Sequence, residues 1–144
     1  MTITRYPPNT IWLGGPRTEI GDIAAKEIIT PGHAVERVNT GGVWQWQKHS
    51  VDGGECQGVA TEQSMLNMDV DGNYAVGDLM EVTIPGRGSN MWMFIASGQN
   101  IAYGDPLQLH TDGTLKALAA GVHTFTALES INAVALTRLR VERV

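Results

Sequence analysis

The segment Asn73-Tyr74-Ala75-Val76-Gly77-Asp78-Leu79-Met80-Glu81-Val82 has a close second copy, Asn100-Ile101-Ala102-Tyr103-Gly104-Asp105-Pro106-Leu107-Gln108-Leu109. A looser third copy, Ile29-Thr30-Pro31-Gly32-His33-Ala34-Val35, lies earlier in the chain. Each copy has a short apolar lead, a Gly-Asp or Gly-His turn and an outgoing strand pattern. Glycine adopts backbone conformations that side chains disfavour, and aspartate tolerates the tight corner beside it. The repetition predicts a β domain with structural turns at Gly32, at Gly77 with Asp78, and at Gly104 with Asp105.

The repeated glycines are expected to occupy positions that exclude a side chain. Replacing Gly77 or Gly104 with valine should therefore destabilise the fold by roughly 1–3 kcal/mol, the cost of a strained backbone conformation. The same replacement at Gly88, in a presumed exposed loop, is expected to cost less.

Further turns and strands fill the rest of the chain. Two hairpins are predicted, one at Asn39-Thr40-Gly41-Gly42 and one at the structural turn Asp112-Gly113. The apolar run 91–96 predicts a strand that is buried on both faces. Segment 19–28 fits either a short amphipathic helix or an irregular strand. The sequence therefore predicts an all-β domain, a small β-sandwich or barrel with at most one or two short helices.

The chain divides into an extended N-terminal arm, residues 1–18, and a single β domain, residues 19–144. Prolines and a Gly-Gly pair exclude regular structure from the arm, yet it is too apolar for a solvated tail. The arm is expected to lie on its own domain or on a neighbouring protein. Its deletion is expected to leave a folded domain and to weaken attachment or oligomerisation. The partner-contact candidates in the arm are Ile3, Tyr6, Ile11, Trp12 and Leu13.

Two tryptophans, Trp44 and Trp46, fall on one face of the strand predicted over residues 43–47. Aromatic side chains at this spacing form a stacking platform in some ligand-binding proteins. Aromatic residues also carry much of the burial in cores and interfaces. Both residues are therefore candidates for partner contact, and packing in the core or in an interface is a simpler interpretation than a ligand platform.

Bulk composition limits the classes of function. Charged residues make up only 17% of the chain, and the net charge is −5. The low charge suggests a surface covered by another protein, and the negative sign argues against nucleic-acid binding. No segment resembles a signal peptide or a membrane span, so synthesis in a cytoplasm is expected. Cys56 is the only cysteine and therefore has no partner for an internal disulfide.

Motifs for catalysis, cofactors or metals are missing from the sequence. His110 and Asp112 flank a hairpin turn, and Asp69, Asp71 and Asn73 lack the glutamate that closes a calcium loop. Cys56 has no surrounding motif and is interpreted as a structural thiol. The alternating Arg138, Arg140 and Arg143 are interpreted as the solvated face of a strand. We therefore expect no enzymatic activity, no cofactor and no metal site.

The order of the turn-and-strand phrases resembles that of the capsid decoration, or cement, proteins of tailed bacteriophages. The resemblance covers about residues 28–144 and leaves the arm uncovered. The phrases that carry it are Gly58-Val59-Ala60, Val76-Gly77-Asp78, Tyr103-Gly104-Asp105-Pro106-Leu107, Asp112-Gly113, Phe125-Thr126-Ala127-Leu128-Glu129 and Arg138-Leu139-Arg140-Val141.

The resemblance implies a β-tulip-like fold and a structural virion protein without catalytic residues. It implies binding to the major capsid protein on the outer surface of an assembled capsid, which the protein would stabilise as an oligomeric clamp, a homotrimer being favoured over a dimer. The aromatic content exceeds what a minimal cement protein needs. A carbohydrate- or receptor-binding β module displayed on a particle therefore remains the alternative, and a small β-barrel enzyme is a third reading.

Overall fold

Short strands with tight turns between them make up the computed structural model, which describes residues 9–63 and 68–144. No α-helix occurs within these ranges, and the only helical element is a 3-10 turn. The expected all-β class is therefore confirmed. In chain order the elements are β1 (Trp12–Gly14), β2 (Arg17–Ala25), β3 (Ala34–Thr40), β4 (Val43–Lys48), β5 (Gly58–Thr61), β6 (Leu79–Pro85), β7 (Asn90–Ile95), β8 (Asn100–Ile101), β9 (Pro106–Leu109), the 3-10 turn (Thr111–Gly113), β10 (Leu115–Ala117), β11 (Phe125–Ala127), β12 (Ile131–Asn132) and β13 (Thr137–Arg143).

The first half of the chain closes into a barrel, here called the first ring, with strand order β2-β4-β3-β5-β6. Its strands pair antiparallel except for β2 and β4, which run parallel. The β3–β4 hairpin has a two-residue Gly41-Gly42 loop in which both glycines have positive φ, as a type I′ turn requires. This hairpin is therefore confirmed where the sequence predicted it.

The second half of the chain forms a second ring with the same connectivity. Strands β7, β10, β9, β11 and β13 pair in that order, and a further β13–β7 pairing closes the circle. The pairings are again antiparallel except for one, between β7 and β10. Strand β1 pairs with the start of β7, on the same edge whose far end pairs with β10. Each strand of the second ring thus has a counterpart in the first, in the same chain order.

Backbone hydrogen bonds mark equivalent positions in the two rings. The first pair of equivalent bonds is Lys26 N–H to the Trp46 carbonyl (2.8 Å) and Ala96 N–H to the Leu115 carbonyl (2.9 Å). The second pair is Ala60 N–H to the His33 carbonyl (2.9 Å) and Ala127 N–H to the Asp105 carbonyl (3.0 Å). The isolated bridge between Ile29 and Tyr74 corresponds likewise to the short β8–β12 ribbon, where Ile101 faces Ile131. The architecture is therefore an internal duplication at the level of topology.

Segment 19–28, which the sequence left as helix or strand, lies largely in β2. Its pairing with β6 shifts register between Ile20 and Ile23, which identifies a β-bulge. The extra residue there explains why the apolar pattern lacked strict alternation. Ala25 ends the strand, so the irregular-strand alternative is the one observed.

The prediction for residues 91–96 is wrong in one respect. Strand β7 buries Met91, Met93 and Ile95 fully, while the opposite face, with Trp92 and Phe94, is only half buried. Ring closure gives the strand one dry face inside the ring and one face that loops and side chains cover in part. The run is thus buried mainly on one face.

Each ring has its own hydrophobic cluster. The first ring encloses a smaller cluster of fully or almost fully buried side chains that includes Trp46, Tyr74 and Met80. The larger cluster fills the second ring and also takes in Ala34 and Val59 from the first. The two rings are therefore packed against each other through shared apolar contacts.

Candidate functional site

The repeated corners have the same geometry at Gly77 and Gly104. The glycine has φ of 90° in the first corner and 87° in the second, and in each a four-residue turn closes with a 3.0 Å bond from the aspartate N–H to the alanine carbonyl. The aspartate carboxylate accepts the alanine N–H at 2.8 Å in both. Since only the glycine φ is positive, these are type II turns. The repeated sequence therefore encodes a local hydrogen-bonded corner.

The Gly32 corner has the same turn with a different side chain. Gly32 has φ of 103°, and His33 donates from Nδ1 to the Thr30 carbonyl at 3.0 Å. Turns of the same type occur at 51–54, 86–89 and 96–99, where the glycine also has positive φ. Gly88 therefore carries the same backbone demand as Gly77 and Gly104, and the lower cost expected for a side chain at Gly88 no longer follows.

The two most similar corners do not occupy equivalent places in the two rings. Gly77 precedes β6, the last strand of the first ring, whereas Gly104 precedes β9, the second strand of the second ring. The equivalent of Gly104 is Gly32, which precedes β3. The sequence similarity between Gly77 and Gly104 therefore reflects the same turn chemistry, while the structural duplication pairs the Gly104 corner with the Gly32 corner.

The Asp112-Gly113 turn joins β9 to β10 as predicted. Asp112 has φ of 64° and Gly113 has φ of 68°, so both residues are left-handed. A Cβ built at Gly113 would lie 2.4 Å from the Ala34 carbonyl oxygen, so glycine is required for packing as well as for conformation. This turn is therefore a structural contact between the two rings.

The structure places the described part of the predicted arm on the domain itself. Ile11 is fully buried in the larger cluster, and Trp12 packs against that cluster. Leu13 is partly exposed, and β1 pairs with β7. The boundary predicted after residue 18 falls inside β2, while Ile3 and Tyr6 lie outside the described residues. Deletion of residues 1–18 would remove a core residue, so loss of the fold is now expected instead of a folded truncated domain.

Trp44 and Trp46 lie on one face of β4, as predicted, but in different environments. Trp46 is 0% exposed inside the first ring, whereas Trp44 is 57% exposed. Arg37 is directly opposite Trp46 across the hairpin, and its guanidinium lies 5.7 Å from the Trp46 ring centre. Trp46 is therefore a core residue, and Trp44 extends the same face beyond the end of the core.

A cavity of about 480 Å³ lies at this hairpin end of the first ring. It is lined by Ile23, Arg37, Trp44 and Gln57. Ile23 lies on the inward face of β2 and packs on the first-ring cluster. The Gln57 side-chain oxygen accepts a hydrogen bond of 3.1 Å from the backbone N–H of Arg37. The site thus combines an apolar floor, an aromatic wall and two polar side chains.

A buried polar cluster joins the two rings. Arg138, on β13, is 8% exposed and donates to the carbonyls of Pro31 and Val70 and to the Asp71 carboxylate. Its guanidinium lies 4.6 Å from the ring centre of Phe94. The interpretation of Arg138 as a solvated residue is therefore wrong, while Arg140 on the same strand is exposed as predicted. The backbone carbonyls of Pro31 and Val70, which are far from Arg138 in the chain, hold its side chain inside the protein. No sequence pattern reveals such long-range contacts.

His33 packs beside this cluster, with its ring centre 4.5 Å from that of Phe94. Burial lowers the pKa of His33 to about 4, since a charged imidazole would lose its hydration, and nearby Lys48 and Arg138 act in the same direction. At neutral pH the ring is therefore uncharged. Its hydrogen bond to the Thr30 carbonyl is a structural contact between the corner and the core.

Other titratable groups have structural explanations. Asp52 accepts hydrogen bonds from Lys116, His110 and Gln108, and the bond from Lys116 contributes most to the lowered pKa of its carboxyl. Burial raises the pKa of Cys56 to about 11, so the thiol is protonated at neutral pH. Within residues 9–63 and 68–144, no group of three or more His, Cys, Asp or Glu side chains is arranged to hold a metal ion. No helix of the described residues has the length and apolar character of a membrane span.

Comparison with known proteins finds no matching family model and no matching curated protein sequence. Among solved structures, the chain is similar to the N base of the head fiber protein gp8.5 of bacteriophage phi29. The TM-score is 0.61, and the match covers 90% of this chain and 95% of that chain at 13% sequence identity. The likeness is one of fold, and it extends over nearly the whole of both chains.

Proposed function

We propose that this protein is a structural component of a bacteriophage virion that binds the outer surface of the assembled capsid. The observation that carries the proposal is the near-complete fold match to a phage head fiber base. The protein would be made in the host cytoplasm, bind the major capsid protein and have no enzymatic activity. Its finer role would be that of a cement protein, which clamps neighbouring capsid subunits as an oligomer.

Exposed apolar side chains support a covered surface. Val134 is 85% exposed and Tyr103 is 70% exposed, and both flank the β8–β12 ribbon. The Val134 carbonyl accepts a hydrogen bond from the Ser97 hydroxyl, and the Tyr103 N–H donates to the Ser130 hydroxyl, so the backbone at both residues is held in place. Aromatic side chains such as that of Tyr103 are enriched at protein interfaces. The ribbon is therefore the face that we expect to contact the capsid.

Clustered binding explains why an oligomer suits this role. A capsid lattice presents several copies of one site at fixed spacing, so a trimer engages them with a high effective concentration after the first contact. Free capsid subunits offer no such array. The proposal therefore predicts strong preference for assembled shells over isolated subunits.

Co-sedimentation with assembled shells, compared with pull-down of free capsid subunits, tests this proposal. Val134→Asp places a charge on the ribbon and is expected to weaken shell binding at least about tenfold, equivalent to about 1.4 kcal/mol. Val43→Asp, at an exposed position of the β3–β4 hairpin, is the matched control and should bind normally. Equal affinity for shells and free subunits would contradict the clamp, and absence of shell binding would contradict the virion role.

A further inference from the structure

The β3–β4 hairpin is longer than its counterpart in the second ring. The pair Arg37–Trp46 corresponds to Leu109–Leu115, after which the second-ring hairpin turns back. The first-ring hairpin continues through three more pairs, which end at Thr40 opposite Val43. Ring closure does not need this extension, since the second ring closes without it. The extension carries Trp44, and the cavity lies beside it.

The lining of this cavity combines three kinds of recognition. Trp44 presents a flat apolar surface that is more than half exposed. Arg37 presents a guanidinium fork, and none of the salt bridges of the described residues includes it. The Gln57 side-chain oxygen accepts a hydrogen bond from the backbone N–H of Arg37, which leaves the Gln57 amide N–H₂ group as a donor. The Gln57 contact also fixes the loop that enters β5 beside the cavity.

These groups match a sugar that carries a carboxylate. The C–H face of a pyranose ring is flat and apolar and stacks on an indole, while its hydroxyls accept hydrogen bonds from an amide. A guanidinium binds a carboxylate through two parallel hydrogen bonds. Mouths of β-barrels are common places for such ligands.

We propose that the hairpin end of the first ring is a binding site for acidic saccharides. Trp44 stacks on the sugar ring, Arg37 binds the carboxylate, and Gln57 donates to a hydroxyl. A nucleic acid would also stack on Trp44, but its backbone carries a charge at every phosphate, and Arg37 is the one cationic residue among the described residues that line the cavity. The site does not depend on the proposed capsid contact, which lies at the β8–β12 ribbon.

Titration of the full-length, ¹⁵N-labelled protein with saccharides tests the site directly. The probes are glucuronic acid, trigalacturonate and sialyllactose, each beside its neutral counterpart glucose, galactotriose or lactose. The four tryptophans give separate indole N–H signals, and the Trp44 signal is expected to move in the titration. At least one acidic probe is expected to bind at least about tenfold more tightly than its neutral counterpart.

Two variants separate the roles of the two principal residues. Trp44→Ala should weaken the binding of acidic and neutral sugars at least about tenfold. Arg37→Gln should bring the acidic probe to the affinity of its neutral counterpart and leave the neutral sugar unchanged. Tyr103→Ala and Arg140→Gln, exposed residues of the second ring, are matched controls and should change neither.

Three results would overturn the proposal. The first is that no probe shifts the Trp44 signal at about 10 mM. Such a result would mean that the Kd lies well above the millimolar range. The second is unchanged binding in the folded Trp44→Ala variant. The third is a single-stranded DNA oligonucleotide that binds more tightly than every saccharide, which would assign the cavity to nucleic acid.

Discussion

The two rings share every strand pairing, and they differ in one hairpin and in what fills the barrel. The first ring has a long β3–β4 hairpin, a core that includes Trp46 and Tyr74, and a cavity at its hairpin end. The second has a short β9–β10 hairpin whose turn packs against the first ring. The shared pairings thus give both rings the same topology. The longer β3–β4 hairpin carries Trp44, which lines the cavity of the proposed binding site.

The largest effect on stability is expected when the buried indole is removed from the first ring. Trp46→Ala should lower the free energy of unfolding by about 3–5 kcal/mol, because the fully buried indole would leave a cavity. Trp44→Ala, two residues away on the same face, should change it by less than about 0.5 kcal/mol because that side chain is exposed. Urea unfolding of both variants measures the difference. Similar losses would mean that the hairpin end belongs to the core.

The contact between the rings is the second target. Arg138→Met should cost about 2–4 kcal/mol, since the Pro31 and Val70 carbonyls would lose buried donors. Arg140→Met on the same strand is the control and should be near neutral. Thermal unfolding followed by two spectroscopic probes measures the loss and also reports whether the rings unfold together. Equal stability of the two variants would show that packing alone joins the rings.

Acid should act on the first ring through His33. The imidazole has an ordinary pKa of 6.5 in the unfolded chain and about 4 in the fold, so the unfolded state binds more protons between these values. Stability therefore falls as pH decreases from about 6.5 to about 4, by at most about 3 kcal/mol. Urea unfolding across this range measures the slope. His33→Gln should flatten it, and an unchanged slope would assign the acid sensitivity to other groups.

The smallest effects concern the type II corners, which occur in both rings at non-equivalent places. Gly77→Val and Gly104→Val should each cost roughly 1–3 kcal/mol, since nothing crowds either position and the penalty is that of a left-handed backbone. Gly88→Val should cost about the same. Gly21→Val is the control, because Gly21 lies in β2 without positive φ. Melting temperatures compare the four variants, and a loss at Gly21 as large as at Gly77 would remove the conformational explanation.

Much of the fold could be read from local patterns. The Gly-Asp corners, the Gly41-Gly42 and Asp112-Gly113 turns and the all-β class follow from φ preferences and short-range hydrogen bonds that a few residues specify. The hairpin around Trp44 was also predicted. The proposed capsid contact was not predicted, because Tyr103 and Val134 belong to turns whose exposure depends on distant strands.

The corners follow from local sequence, because a left-handed glycine and a neighbouring aspartate are local requirements. Which corners are equivalent depends on long-range pairing, since ring closure matches Gly32 with Gly104 although Gly77 resembles Gly104 more closely. The tertiary structure therefore sets this equivalence. It also separated Trp46 from Trp44 and drew Arg138 inward. Burial depends on how strands far apart in the chain close around a residue, and alternation along one strand reports its face but not where the core ends.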